Sequence, residues 1–167
     1  YDLPFGYGRR LMNRKGVLDE GLGGWRVGGI WTIESGPPFT PVLSTDVTNV
    51  GATSRPNAIG PGNMPGGQRS INDWFNLAAF QIPTQFTYGN AGRDTLYGPG
   101  LVNIDLNLSK AFAITESKRL EFRAEAFDLT NTPHFNIPNA SVNLPQAGTI
   151  TSAEAPREVQ FALKFIF

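Results

Sequence analysis

The ten residues from Glu158 to Phe167 restrict the fold more than any other stretch. Val159, Phe161, Leu163, Phe165 and Phe167 recur at every second position, and Glu158, Gln160, Ala162, Lys164 and Ile166 fill the places between. Successive side chains of a strand point to opposite faces, so this spacing predicts a strand with one aromatic face and one polar face.

The same division recurs upstream. Trp25, Val27, Gly29, Trp31 and Ile33 oppose Arg26, Gly28, Ile30, Thr32 and Glu34. Val102, Ile104, Leu106 and Leu108 oppose Asn103, Asp105, Asn107 and Ser109. Leu120, Phe122, Ala124 and Ala126 oppose Glu121, Arg123, Glu125 and Phe127. The polar turn Thr115–Lys118 joins the last two runs into a predicted hairpin. Arg26, Glu34, Glu121, Arg123, Glu125, Glu158 and Lys164 all avoid the apolar faces. On a lipid-facing surface, Arg or Lys at the bilayer midplane costs roughly 2–4 kcal/mol, falling to about 0–1 near the interfaces. Lys110 alone breaks the rule, near its strand's end, where a long side chain is expected to snorkel to the interface. A soluble antiparallel sheet with one wet face alternates in the same way, so alternation by itself leaves both settings open.

The connections favour the membrane. Strands are expected at about 1–5, 25–43, 101–113, 119–129 and 158–167, with Pro37 and Pro38 interrupting the second, since proline donates to no ladder. That leaves loops at 44–100 and 130–157. The first carries repeated turn signals (RPN, GPGN, PGG, GNAGRD, YGPG). An irregular loop of that length is rare in a compact soluble domain. Outer-membrane barrels combine long extracellular loops with short periplasmic turns. With Thr115–Lys118 as such a turn, Trp25, Phe112, Phe122, Phe165 and Phe167 fall toward the periplasmic side. There Trp25, Phe112 and Phe122 are expected to form an aromatic girdle. Within the long loop, residues 71–80 (INDWFNLAAF) are expected to make one short helical turn.

Composition narrows the classes further. Acidic and basic residues number 14 each, which gives no basic footprint for nucleic acid. The 19 glycines and 13 prolines disfavour long helices, and the absence of cysteine excludes disulfides and thiolate metal sites. No apolar run is long enough for a transmembrane helix. The chain opens on YDLPFG, without an initiator Met or a signal-like segment, and reads as a piece of a larger protein.

Catalytic chemistry has little to work with. His134, in TPHF, is the sole histidine, without a Cys or a second His for a metal site or triad. Glu121 and Glu125 share a strand face with Arg123 between them, which suggests an ion-pair ladder in a barrel lumen rather than acid–base work. Asp105 and Asp128 are lone acids on polar faces. The glycines of residues 6–24 are followed by a Trp-rich strand instead of a helix, so they read as a turn and not a phosphate cradle. No enzyme activity and no cofactor is expected. Trp74, Phe75, Phe80, Tyr88 and Tyr97 in the long loop are candidates for stacking on a sugar or peptide ligand, or for packing the loop on itself.

With these residues set out, the chain resembles the C-terminal end of TonB-dependent outer-membrane receptors, of the type with an N-terminal carboxypeptidase-regulatory-like domain. The resemblance is carried by YDLPFGYGRR, GGWRVGGIWTIESGPPFTP, RPN, WFNLAAF, YGNAGRDTLYGPGLVNIDLNLSK, RLEFRAEAFDLTNTPHFNIP and PREVQFALKFIF, in that order. It implies a barrel of roughly 22 strands with a plugged lumen, of which this chain supplies about the last four and the end of a fifth. It also implies a place in the bacterial outer membrane, in contact with its lipid. Phe161, Leu163, Phe165 and Phe167 match the aromatic C-terminal strand that the barrel-insertion machinery recognises. Four strands cannot close a barrel, and open strand edges invite pairing. The alternative expectation is therefore that the chain alone self-associates with copies of itself into an extracellular, amyloid-like cross-β filament.

Overall fold

The computed structural model describes residues 1–14 and 16–167. Lys15, within the 6–24 stretch read above as a turn, lies outside the described residues. Among the described residues the strands are β1 (Trp25–Glu34), β2 (Pro38–Phe39), β3 (Asn57–Ala58), β4 (Phe80–Gln81), β5 (Leu96–Tyr97), β6 (Leu101–Ala113), β7 (Arg119–Phe127) and β8 (Glu158–Ile166). Helix among the described residues is limited to α1 (Val17–Leu22) and 3-10 turns at Gly66–Gln68 and Leu77–Ala79. The chain divides into two compact units rather than one.

The first unit comprises Tyr1–Ile33, Val102–Thr132 and Pro156–Phe167. Its sheet has the order β1-β6-β7-β8. β7 runs antiparallel to both β6 and β8, with Leu108, Ala124 and Phe161 aligned across the three, and Lys110, Phe122 and Leu163 likewise. β1 runs antiparallel to β6, because Gly29 lies against Asp105 while Trp25 lies near Lys110. Gly29 is required there: a Cβ would stand 2.9 Å from the Asp105 carbonyl oxygen.

Several expected boundaries shift. The strand of 25–43 ends at Glu34, since Pro37 and Pro38 cannot continue the ladder, and β2 pairs with β5 instead. β7 stops at Phe127 because Asp128 turns into the left-handed region (φ 48°). β8 stops at Ile166. Residues 1–5 form no full strand. Tyr1 and Leu3 run along β1, with the Val27 amide donating to the Tyr1 carbonyl (2.9 Å) and the Leu3 amide to Trp25 (2.8 Å).

The connection from 6 to 24 is a turn that contains α1. Gly6 (φ 112°) and Gly23 press together beside Asp19, where a Cβ on either would collide with the Asp19 carboxylate or the opposite backbone. Asp19 accepts the Tyr7 amide at 2.6 Å, which fixes the start of the turn to its helix.

The second unit, Glu34–Leu101 with Pro133–Ala155, covers most of what composition marks as loop. It is folded. Phe39, Phe75 and Leu96 form a buried cluster, with Phe80, Ala140 and Val142 packed against it. The Phe39–Phe75 and Phe75–Phe80 rings meet edge to face at 6.0 and 5.9 Å, a favoured aromatic geometry. Two short ladders, β2 with β5 and β3 with β4, frame this core. The helical turn expected across 71–80 is confined to Leu77–Ala79. Phe75 before it bridges Asn63 and fills the core.

Candidate functional site

The sheet sorts its side chains by face. Trp25 stands edge-on to Phe122 (5.9 Å, 84°), and Phe122 stacks on Phe161 (6.3 Å). Phe165 stacks on Phe167 at 6.0 Å. These rings remain open to the surroundings: Phe161 is 71% exposed, Leu163 69%, Phe165 50% and Phe167 90%. A sheet that leaves the aromatic side of β8 this open is built for a nonpolar solvent, because in water that area would carry a penalty of roughly 25 cal/mol per Å².

Lys110, the one charge on this face, does not snorkel outward. It is 5% exposed. Its ammonium donates to the Glu20 carbonyl and to the Gly21 carbonyl (3.1 Å), at the C-terminal end of α1. It also lies 5.6 Å from the Trp25 ring centre and 4.8 Å from that of Phe112. Carbonyls at a helix C-terminus carry partial negative charge, and aromatic faces attract cations. The expected girdle residues Trp25 and Phe112 therefore flank a cation held by backbone carbonyls, and Phe122 sits opposite it across the β6–β7 pair.

The opposite face is a polar layer. Asn107 donates to Glu125 (3.0 Å), and Gln160 donates to the other carboxylate oxygen, so one acid ties three strands. Arg123 lies 4.0 Å from Glu125, and Lys164 faces Glu121 across the β7–β8 pair. Asp2 accepts Arg26 at 2.8 Å and Arg9 at 3.2 Å. Asp105 accepts the Asn103 amide group (3.0 Å) and the Asp128 backbone amide (3.0 Å), which anchors the end of β7. These partners give Glu125, Asp105 and Asp128 structural employment. Asn107 and Gln160 were not singled out by sequence, because their importance depends on register.

The loop unit brings scattered motifs together. Arg55 of RPN donates to the Ala91 carbonyl (2.6 Å), and the Ala91 amide donates to Pro56 (3.0 Å). Asn57 and Asn90 exchange side-chain to backbone bonds: Asn90 N–H to Asn57 (3.2 Å), and Ala58 N–H to Asn90 (2.6 Å). Thr40 donates to Asp94 and accepts its amide (3.1 and 2.9 Å). RPN, FTP and GNAGRD are three sides of one lock.

Of the proposed ligand-stacking aromatics, two share a cavity. Trp74 and Tyr97 line about 460 Å³ together with Arg69 and a rim of glycines including Gly36, Gly98 and Gly100. The Trp74 indole N–H donates to the Tyr97 carbonyl (2.8 Å), and the Arg69 guanidinium lies 5.5 Å over the Trp74 ring. Arg69 is held by its Nε on the Met64 carbonyl (2.7 Å). Gly36 packs so tightly on Gly98 that any side chain would strike the Gly98 carbonyl. Phe75 must be withdrawn from the ligand set, since at 1% exposure it is core. Tyr88 is 76% exposed and outside this cavity. Arg69 was missed because nothing in its spacing points to Trp74. The His134 carbonyl accepts the Glu154 amide at 2.8 Å, a loop–loop contact.

A family model described as an outer membrane β-barrel domain matches residues 1–160. No curated protein and no solved structure matches the chain.

Proposed function

Because the chain belongs to the outer membrane β-barrel domain family, and so to the bacterial outer membrane, we propose that it is a non-catalytic wall-and-loop segment of a TonB-dependent uptake receptor. The observation that carries this reading is the folded loop unit with its Arg69–Trp74–Tyr97 cavity. A receptor needs such a site to hold a solute before import. Aromatic walls beside a guanidinium suit a ring-shaped, anionic solute, the ring stacking and the carboxylate pairing. In this reading Phe161, Leu163, Phe165 and Phe167 also serve as the surface read by the barrel-insertion machinery.

The test uses the whole receptor that contains this chain. In a planar bilayer it should be closed to ions until the plug is loosened by denaturant, and it should capture the periplasmic domain of TonB. A steady open conductance with no TonB capture would overturn the reading in favour of a passive porin.

A second reading applies to the chain in isolation. β8 is the last strand of the sheet order, so its outer edge pairs with no strand among the described residues. Such an edge is a template for other copies. Fibrils seen by negative-stain electron microscopy without detergent would support self-assembly. Material that disperses only in detergent would refute it.

A further inference from the structure

We propose that the connection holding Arg10, Arg14 and α1 is a docking surface for anionic phospholipid at the membrane rim. The placement follows from Lys110 and Trp25. Lys110 shares its face with Phe122 and Leu163, the lipid side of the sheet. Both Lys110 and the Trp25 indole N–H donate to carbonyls at the end of α1, Trp25 to Gly21 at 2.9 Å. These bonds hold α1 over the lipid side, at the level of the aromatic girdle.

What α1 presents there is apolar. Val17 is 85% exposed, Leu18 68% and Leu22 52%. A helix on a water-facing surface turns such residues inward. Here the inward position belongs to Asp19, which accepts the Tyr7 amide and sits between Gly6 and Gly23. The exposed leucines and valine belong to a helix tied to Lys110 and Trp25 on the lipid side of the sheet, and their occupant is the same lipid.

Charge selects among lipids. Arg9 is engaged by Asp2. Arg10 and Arg14 are exposed and enter no ion pair among the described residues. Glu20 is the exposed acid nearby. Two exposed arginines in the connection that carries an apolar helix form the pattern of an interfacial anchor, with acyl chains against the helix and a phosphate under the arginines. This inference needs only the barrel, not the uptake reading.

The test places the complete barrel protein in nanodiscs, with Leu18→Cys carrying a bimane label. Phosphatidylglycerol with brominated acyl chains should quench the label several-fold more than brominated phosphatidylcholine. The double variant R10Q/R14Q should lose that preference while keeping the quenching by phosphatidylcholine. High salt should erase the preference in the labelled protein that keeps Arg10 and Arg14. A label quenched by neither lipid, quenched equally by both, or still preferring phosphatidylglycerol in R10Q/R14Q would overturn the proposal.

Discussion

The sheet and the loop unit solve opposite problems. Every buried hydrophobic side chain among the described residues (Phe39, Leu43, Phe75, Ala79, Ala91, Leu96) belongs to the loop unit. In the sheet unit the buried side chains of note are Lys110 and Asp128, both polar. One region hides its apolar surface, as a chain folded in water does. The other displays Phe161, Leu163 and Phe165, and relies on a continuous backbone ladder plus a solvent that is itself apolar. A single sequence thus meets two solvents, and each region's stability answers to different substitutions.

The sharpest way to break the comparison is to exchange their weaknesses. Phe75→Ala should cost the loop unit about 3–5 kcal/mol through the cavity it leaves. Amide hydrogen exchange should then show loss of protection at residues 56–58 and 94–97, with β6–β8 unchanged. Equal loss in both units would mean that they fold as one. Phe161→Arg should do the reverse. It places a charge at the middle of the lipid face and should cost roughly 2–4 kcal/mol in liposome-based unfolding, leaving the loop unit protected. In detergent-free solution the same change should reduce self-association of the isolated chain. A destabilisation that also appears in lipid-free conditions would show that this face is packed on protein.

A smaller effect tests the polar face. Glu125→Ala removes the acceptor shared by Asn107 and Gln160. The loss should be about 1–3 kcal/mol if the layer is shielded from water, and close to nothing if it is fully wet. Urea unfolding in liposomes distinguishes these, and the outcome reports how much water reaches that layer.

The alternation of apolar residues made the sheet legible, because period 2 is a property of neighbours in sequence. Phe122, Phe161 and Trp25 could be assigned to one face before any pairing was known. The fate of Lys110 could not. Its carbonyl partners come from Glu20 and Gly21, some ninety positions away, and a backbone carbonyl carries no residue signature. The loop unit was misread as irregular for a related reason. Its core depends on Phe39, Phe75 and Leu96 meeting from three short separate segments, and no periodicity marks residues that sit singly between prolines and glycines. The motifs RPN and GNAGRD were visible as turn signals, while their mutual bonds were not. In the cavity, Trp74 and Tyr97 were recognisable as aromatics, but Arg69 gains its meaning from the Trp74 face it covers.

The mildest perturbation separates the two regions without touching either core. Asp46 accepts the Thr48 hydroxyl and amide (2.6 and 2.9 Å), the Gly51 amide (2.7 Å) and the Ser54 hydroxyl (3.1 Å). The Thr48 hydroxyl above all, then the Gly51 and Thr48 amides and the Ser54 hydroxyl, hold its carboxyl well below the usual 3.8, against the opposing effect of desolvation. A depressed folded-state pKa means that the unfolded loop binds the proton more readily. The stabilisation is therefore present above about pH 4 and fades as pH falls through the folded-state value. Acidification from pH 5 to about pH 2 should first release the amides of Thr48 and Gly51 to exchange, while the β7–β8 ladder keeps its protection. Asp46→Asn keeps one acceptor oxygen but cannot titrate. The variant should start with a looser 46–54 turn and then show little further change on acidification over the same range. If the unmodified chain and Asp46→Asn respond alike to acid, another carboxylate governs the loop, and the turn at Asp46 is only a local cap.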